Sequence, residues 1–238
     1  HGEREISGGE EEQYFEKIKV RANRVPLQHI LGKTEFMGLT FTVNGHVLCP
    51  RQDTEILVEE VLKHLHDGMR ILDIGTGSGC ILLSLLHYSN DCHGIGADIS
   101  EEALEAAKTN AVRLGAAHAD FVKSDLFEKT EGKFEIIVSN PPYIKSAEID
   151  GLMPEVKDHD PHAALDGGED GLFFYRKITE KAGEHLPGGG MLFYEIGWDQ
   201  GEAVKNILEE NSFREIQIVK DFSGLDRVVF GTWYGETR

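Results

Sequence analysis

The sequence has few cysteines, few prolines and no long apolar run. Its 238 residues include 3 cysteines and 7 prolines. An odd, small number of cysteines without a CxxC pair argues against a disulfide framework or a zinc site and fits a reducing cytoplasm. Apolar runs stay well short of the roughly 18 consecutive residues of a membrane-spanning helix. We therefore expect a cytoplasmic protein with no membrane segment and no bound metal.

Positive charge is also scarce. Lys and Arg number 24 against 42 Asp and Glu, which gives a formal net charge of −18. A field of that sign repels phosphate backbones, so we expect no stable binding of nucleic acid. Hydrophobic residues make up 40% and charged residues 28%, which is typical of a globular protein. The length predicts one main domain with at most a small appendage.

The N-terminal part of the chain differs in pattern from the rest. Residues 1–13 are polar and acidic, so we expect neither regular structure nor a secretory signal there. Apolar residues at helical spacing predict a short helix over 14–23, which Pro26 would end. Alternating apolar residues over 32–50 predict a β-hairpin with Asn44-Gly45 as its turn.

From residue 53 onward, strand and helix patterns alternate. Asp53 or Thr54 is placed to cap the first helix. This alternation predicts an α/β fold with a twisted, mainly parallel sheet and helices on both faces. The strands are expected at 69–74, 94–97, 119–122, 134–139, 191–196, 216–219 and 227–232. The helices are expected at 53–65, 80–88, 100–111, 172–186 and 200–211.

A glycine-rich turn follows the first of these strands. It consists of Gly75, Thr76, Gly77, Ser78 and Gly79. Such a turn lets a cofactor approach the N–H groups of the next helix. The second strand ends at Asp98, about 20 residues further on, where an acid can accept both ribose hydroxyls of a nucleoside. Cys80 stands where a dinucleotide fingerprint has its third small residue, so the turn favours S-adenosyl-L-methionine over a nicotinamide cofactor.

The third strand is followed by residues that suit an adenine ring. Ser124, Asp125 and Leu126 lie at its carboxyl end, where a side chain can hold the adenine amino group. Plainer interpretations exist for both acids. Asp125 is also a common turn former, and Asp98 could instead cap the following helix.

The fourth strand ends in Asn140-Pro141-Pro142-Tyr143. Two prolines cannot continue a central strand, so they form a rigid kink at the sheet edge where α/β folds bind ligands. The Asn140 side-chain oxygen and the Pro141 carbonyl can accept the two hydrogens of a planar amide or aromatic amine. That orients the nitrogen lone pair toward an electrophilic methyl group, while Tyr143 offers a ring face. The expected catalysis is positioning and electrostatics rather than removal of a proton by a base.

Eight segments together resemble the release-factor glutamine methyltransferases, the PrmC/HemK family. The resemblance covers about residues 20–233. Its members methylate the side-chain amide nitrogen of the glutamine in the GGQ motif of peptide chain release factors, modulating translation termination. The resemblance implies S-adenosyl-L-methionine as cofactor and S-adenosyl-L-homocysteine as product. The segments are PLQHILGKTEF (26–36), CPRQDTEILVE (49–59), LDIGTGSG (72–79), ADIS (97–100), SNPPYI (139–144), ALDGGEDGLFFYRKI (164–178), EIGWDQG (195–201) and KDFSGLDRVV (220–229).

This resemblance also implies a fold and a division of the chain. The fold is the seven-stranded class I methyltransferase sheet, which is Rossmann-like. Residues 1–31 would be the remnant of an N-terminal helical domain with its linker, 32–52 the β-hairpin linker, and 53–238 the catalytic domain. Cys49 and Gln52-Asp53 depart from the family pattern, which usually has an aliphatic residue and Pro-Glu at these places.

Site roles follow from the matched motifs. Catalysis is expected from Asn140, Pro141 and Tyr143. Substrate binding is expected from the same three with Pro142 and Arg51, although Arg51 could equally make a structural ion pair. Cofactor binding is expected from Gly75, Thr76, Gly77, Ser78, Gly79, Asp98, Ile99, Asp125, Leu126 and Asn140.

Three other functions use some of these features. An adenine or guanine amino methyltransferase acting on DNA or RNA shares the Asn-Pro-Pro-Tyr chemistry, but the negative charge disfavours it. A non-catalytic adaptor need not keep both a cofactor turn and a nitrogen clamp. A dehydrogenase is disfavoured by Cys80 and by the clamp. The run from Asp158 to His162 contains metal-binding residue types, and we interpret it as a polar loop.

Overall fold

The computed structural model describes residues 7–235, which contain nine strands and eight α-helices. The strands are β1 (Lys33–Phe36), β2 (Leu39–Thr42), β3 (Arg70–Ile74), β4 (His93–Asp98), β5 (Ala119–Lys123), β6 (Ile136–Ser139), β7 (Gly190–Glu195), β8 (Phe213–Lys220) and β9 (Asp226–Trp233). The helices are α1 (Gly8–Ala22), α2 (Leu27–Leu31), α3 (Asp53–Leu62), α4 (Cys80–His87), α5 (Glu101–Leu114), α6 (Pro154–Lys157), α7 (Phe173–His185) and α8 (Gly201–Glu210).

Seven of these strands form one sheet in the order β5-β4-β3-β6-β7-β9-β8. β9 runs antiparallel to both of its neighbours, and the other pairs are parallel. The predicted seven-stranded, mainly parallel methyltransferase fold is therefore confirmed. Strand order reverses at β3, which has β4 on one side and β6 on the other. In open α/β sheets that reversal opens a crevice at the carboxyl ends of the strands.

Apolar strand residues are buried on both faces of the sheet. Ile71, Val138 and Phe193 pack into the cluster that includes α3 and α4. Leu72 and Ile137 alternate with them and face the cluster built on α7 and α8. This two-sided burial explains why the central strands are continuously apolar in sequence. It also holds the carboxyl ends of β3, β4 and β6 at fixed relative positions.

The N-terminal helix begins earlier than predicted. Ser7 caps α1 through a capping box, in which its hydroxyl accepts from the Glu10 amide while the Glu10 carboxylate accepts from the Ser7 amide. The expectation that 8–13 would be irregular is therefore wrong, because this cap and the acidic first turn start the helix at Gly8. The same expectation for 1–6 lies outside the described residues.

The β-hairpin also turns earlier than predicted. Met37 and Gly38 join β1 to β2 with φ angles of 50° and 70°, the left-handed geometry that matches the twist of paired strands. The Tyr88 hydroxyl donates to the Met37 carbonyl, and the Met37 amide donates to Glu55, each at 2.6 Å. The prediction of Asn44-Gly45 as the hairpin turn is wrong, since these residues form a separate turn after β2.

The start of α3 differs in detail from the expectation. Gln52 occupies the N-cap position, and Asp53 is the first helical residue. Neither Asp53 nor Thr54 therefore caps the helix. Both are turned toward the end of the sheet instead: Asp53 lies 3.4 Å from Arg227 of β9, and Thr54 is buried. At α5, by contrast, Ser100 is the N-cap and accepts from the Ala103 amide, as the sequence predicts.

Candidate active site

The glycine turn after β3 is held by the neighbouring strand. The Gly75 and Thr76 amides both donate to the Ala97 carbonyl, at 2.8 and 3.1 Å. Gly75 and Gly77 have φ angles of 73° and 55°, which residues with a Cβ rarely adopt. A Cβ on Gly75 would meet no atom within 4 Å, because this position borders open space. The turn therefore leaves bare backbone facing a cavity.

Asp98 ends β4 directly beside this turn. Its Oδ2 accepts from the Gly77 amide and its Oδ1 from the Ser100 amide, both at 2.9 Å. The side chain is half-buried and lines the cavity. Each carboxylate oxygen keeps a second lone pair after these bonds. Asp98 can therefore position the start of α5 and still accept ligand hydroxyls, so the two roles considered for it are compatible.

Asp73 lies within β3, below the glycine turn. It is fully buried, and its Oδ2 accepts from the Thr76 hydroxyl at 2.7 Å. Burial raises the pKa of this carboxyl to about 7, against the lowering effect of the Thr76 hydrogen bond. A buried acid under the turn fixes Thr76, at a cost in desolvation.

A cavity of about 600 Å³ opens at the carboxyl edge of the sheet. It is large enough for a nucleoside-sized ligand. Ile99 is 62% exposed at its wall and offers an apolar surface to a ring. The cavity brings together most of the predicted site residues, namely Arg51, Gly75, Thr76, Gly77, Ser78, Asp98, Ile99, Asp125, Leu126, Asn140, Pro141 and Pro142.

Two of the predicted residues, Gly79 and Tyr143, are not among those that line the cavity. Gly79 packs against α5, and a Cβ there would come 3.2 Å from the Ala107 Cβ. This packing is a reason for glycine at position 79, and the cofactor-binding role of Gly79 stays a prediction. Tyr143 is half-buried; burial is the main reason for its raised pKa, and the Glu195 charge adds to it. The catalytic and substrate-binding role expected of Tyr143 stays a prediction.

The Asn-Pro-Pro-Tyr segment is tightly held at the end of β6. Ser139 donates to the Ile74 carbonyl at 2.7 Å, which ties β6 to β3 just before the clamp. Gln200 donates to the Tyr143 carbonyl at 3.0 Å. Gly167 packs so closely on this segment that a Cβ would lie 2.8 Å from the Pro142 carbonyl oxygen. The backbone around Asn140 is therefore fixed from several sides.

Glu195 and Arg227 lie beside the clamp, and sequence reasoning gave neither of them a role. Glu195 ends β7 and is 2% exposed. Burial raises its pKa to about 7, while interactions with Thr54, Arg227 and Asn140 lower it. The Arg227 guanidinium also lies 3.1 Å from Asp221. The sequence did hold one signal for Glu195, namely an acidic residue at the end of the apolar strand MLFYE. A charged residue at the end of a buried strand is costly and therefore indicates a function.

Arg51 lines the cavity and also forms an ion pair. Its guanidinium lies 2.8 Å from Asp160, whose side chain is fully buried. Burial raises the pKa of Asp160, and Arg51 lowers it. His29 and Cys49 place ligand-type atoms within 4.8 Å of Asp160 and of each other. Because Asp160 already pairs with the Arg51 guanidinium, we interpret His29, Cys49 and Asp160 as part of the ion-pair network. The expectation of no metal stays a prediction.

Two family models match the chain. The model described as "Methyltransferase small domain" matches residues 51–155, which include every predicted site residue. The model described as "PrmC N-terminal domain" matches residues 1–32. Together with the seven-stranded sheet and the cavity at its carboxyl edge, this match defines the chain as a methyltransferase.

Curated relatives give the family. The chain is 47% identical to "Release factor glutamine methyltransferase" of Clostridium acetobutylicum, over 95% of this chain and 82% of that protein. It is 46% identical to the protein of the same name from Agrobacterium fabrum, over 89% and 76% of the two chains. The chain belongs to the release factor glutamine methyltransferase family, which confirms the resemblance drawn from the motifs. Membership in this family excludes the dehydrogenase interpretation.

Solved structures support the fold. A methyltransferase from Pyrococcus furiosus matches with a TM-score of 0.61 at 21% identity, over 91% of this chain and 98% of that one. The ribosomal protein L11 methylase of Lactobacillus delbrueckii matches with a TM-score of 0.58 at 20% identity, over 77% and 80%. Identities at this level establish the shared fold alone. Within the described part of the chain, each helix is too short or too polar to cross a bilayer.

Proposed function

We propose that this chain transfers a methyl group from S-adenosyl-L-methionine to the side-chain amide nitrogen of a glutamine in a peptide chain release factor. One observation carries the proposal: Asn140 and Pro141 line the same cavity as the glycine turn and Asp98. A nitrogen clamp and a nucleoside site therefore share one space, in a chain of this family.

The cavity fits the cofactor at three places. Open backbone at Gly75 and Gly77 leaves room for the methionine moiety. Asp98 would hold the ribose through the lone pairs that remain after its two backbone hydrogen bonds. Ile99 and Leu126 would offer apolar surface to the adenine, and Asp125 would accept from its amino group. When bound, S-adenosyl-L-methionine supplies an electrophilic methyl group on a sulfonium centre.

The chain's own contribution to the reaction is to orient a poor nucleophile. The lone pair of an amide nitrogen is delocalised into the carbonyl. The nitrogen therefore attacks only when both of its N–H bonds are directed away from the methyl group. Asn140 accepts one of these hydrogens at its side-chain oxygen, and Pro141 accepts the other at its carbonyl. Both acceptors are most effective when positive charge develops on the nitrogen, so they stabilise the transition state more than the ground state.

Removal of the proton requires no dedicated base. The methylated nitrogen is strongly acidic while it is cationic and can release its proton to water as the product leaves. Arg51 lies at the cavity wall, where it can contact the incoming substrate backbone while paired with Asp160. The ion pair keeps this guanidinium in a fixed place.

The remaining expectations form part of the same proposal. Residues 1–31 are the part of an N-terminal helical domain present in this chain, residues 32–52 the hairpin linker, and residues 53–238 the catalytic domain. Three buried free cysteines, Cys49, Cys80 and Cys92, support a reducing cytoplasm as the location. A formal charge of −18 supports a protein substrate over nucleic acid.

A methyl-transfer assay tests the proposal. Purified chain, radiolabelled S-adenosyl-L-methionine and a release factor should give one methyl group per release factor, located by mass spectrometry on the glutamine of its GGQ loop. A release factor with Gln→Ala at that position is the matched control and should take up no label. If duplex DNA or structured RNA were labelled instead, the nucleic-acid interpretation would replace this one.

A further inference from the structure

The clamp works only if the Asn140 side chain presents its oxygen to the substrate. A carboxamide has an acceptor oxygen and a donor NH₂ group of nearly equal size. Rotation by 180° about its last bond would point two donors at the N–H groups of the substrate amide. The sequence of the clamp does not decide between these orientations, so a neighbouring group has to do so.

Glu195 is placed to make that choice. β6 and β7 are parallel neighbours in which Ser139 lies opposite Tyr194. Asn140 and Glu195 therefore leave the sheet side by side. Glu195 is 2% exposed, and its carboxylate interacts with the Asn140 side chain. It lies outside the set of residues that line the cavity, whereas Asn140 and Thr54, with which it interacts, both line it.

An ionised carboxylate favours one of the two orientations of the Asn140 amide. An ionised carboxylate only accepts hydrogen bonds, so it attracts the NH₂ group of Asn140 and leaves the oxygen to face the cavity. Among the described residues, Oε2 of Glu195 is buried and has no hydrogen-bond partner. A buried acceptor in that state gains from any donor that rotates toward it.

Arg227 favours the ionised form of this carboxylate. Its side chain is 11% exposed, and its charge opposes the effect of burial on Glu195. Burial nevertheless raises the pKa of Glu195 to about 7. A protonated Glu195 could donate as well as accept, so it would no longer distinguish the two ends of the Asn140 amide.

We propose that Glu195 is a positioning residue that holds the NH₂ group of Asn140 and thereby presents the Asn140 oxygen to the substrate nitrogen. This inference rests on the proposed function, since it concerns the same clamp. Asn140 touches the substrate, whereas Glu195 acts through Asn140. A purely structural role for Glu195 would instead predict that its removal lowers the thermal stability of the protein.

Glu195→Gln is the main test variant, because Gln keeps the shape but has an amide that can itself turn either way. We expect its single-turnover rate with saturating cofactor to fall about 10-fold or more, and that of Glu195→Ala about 100-fold, by analogy with the losses on removing a residue that orients a metal ligand. Cofactor affinity should stay within about 2-fold. The melting temperature of Glu195→Gln at pH 8 should equal or exceed that of the unmodified protein, because a buried charge has been removed.

The pH profile gives a second readout. The rate of the unmodified enzyme should fall as the pH drops below about 7, and the profile of Glu195→Gln should be flat between pH 6 and 8. Burial raises the pKa values of the nearby thiol and phenols further above that window. The titratable and charged groups facing Glu195 are Asp53, Cys80, Tyr143, Tyr175 and Arg227.

Glu60→Gln is the matched control, since Glu60 is a buried acid of α3 that pairs with Lys63. It should leave both the rate and the pH profile unchanged. A Glu195→Gln enzyme with the unmodified rate, or one whose rate and melting temperature fall together, would overturn the positioning role. An unmodified enzyme that fails to methylate the release factor would instead refute the proposed function, so the two failures are separable.

Discussion

The Gly77 amide donates to Asp98 Oδ2 over 2.9 Å, which joins the glycine turn after β3 to the end of β4. The same carboxylate accepts from the Ser100 amide through its other oxygen. Asp98 is therefore already oriented by the backbone before any ligand arrives, and little side-chain entropy remains to be lost on binding.

Asp98→Ala should weaken binding of S-adenosyl-L-methionine by about 30- to 1,000-fold. That range corresponds to about 2–4 kcal/mol, which is the cost of removing a charged, hydrogen-bonded partner. Isothermal titration calorimetry measures the change directly. Glu101→Gln, an exposed acid of α5, serves as the control and should bind like the unmodified protein. Equal affinity in Asp98→Ala would mean that the ribose is held elsewhere.

Asn140→Ala should lower the single-turnover rate by about 10²–10³-fold with saturating cofactor and release factor. It removes an acceptor used mainly in the transition state, so the rate constant falls while cofactor binding weakens only modestly. Rapid-quench measurement of methyl transfer separates this step from product release. The exposed Asn90→Ala is a control for loss of an asparagine. Near-normal rates in Asn140→Ala would require a base that the cavity wall does not suggest.

The arrangement of the cavity was predictable because parallel strands share an edge. Gly75, Asp98 and Asn140 each follow a buried strand, and alternating helices bring those strand ends together. The sequence therefore predicted that these residues share one edge of the sheet, where they line one cavity. Gly79 shows the limit of motif reasoning: it belongs to the glycine pattern, yet its neighbours are Leu83 and Ala107.

Other features depended on contacts that the sequence does not display. Glu195 lies 55 positions after Asn140, and only the pairing of β6 with β7 makes them neighbours. The hairpin turn was misplaced because Asn44-Gly45 is the stronger local turn signal, whereas contacts from Tyr88 and Glu55 fix the true one. Ser7 and Glu10 did carry a capping-box spacing, but the two glycines between them made a helix start there hard to recognise.

Substitutions of Tyr143 test whether its ring or its hydroxyl supports the clamp. Its side chain is half-buried and packs against the apolar cluster built on α7 and α8, so we expect the ring rather than the hydroxyl to matter. Tyr143→Phe should keep the single-turnover rate within a few-fold of the unmodified value. Tyr143→Ala should lose both rate and thermal stability, because truncating a half-buried aromatic side chain removes part of the packing that is worth about 3–5 kcal/mol for a fully buried one. A large loss in Tyr143→Phe would show that the hydroxyl takes part.

The buried Asp73 should make stability depend on pH in an identifiable way. Its pKa rises on folding from 3.8 to about 7, chiefly because of burial. The folded protein thus binds this proton more tightly than the unfolded chain. The resulting stabilisation is fully present below the unfolded pKa and is lost as the pH rises toward 7, where the folded protein has to bury a charge.

Asp73→Asn removes this dependence of stability on pH. Any effect of the new amide on packing is the same at every pH. The difference in melting temperature, variant minus unmodified protein, should therefore increase between pH 5 and pH 8. We expect a change of about 2–3 kcal/mol across that interval, or several degrees for a chain of this size. Differential scanning fluorimetry in matched buffers measures it, with the exposed Asp91→Asn giving a flat difference. A flat difference for Asp73→Asn as well would mean that Asp73 is ionised in the folded protein at every pH tested, with its charge compensated by the Thr76 hydroxyl and the neighbouring backbone.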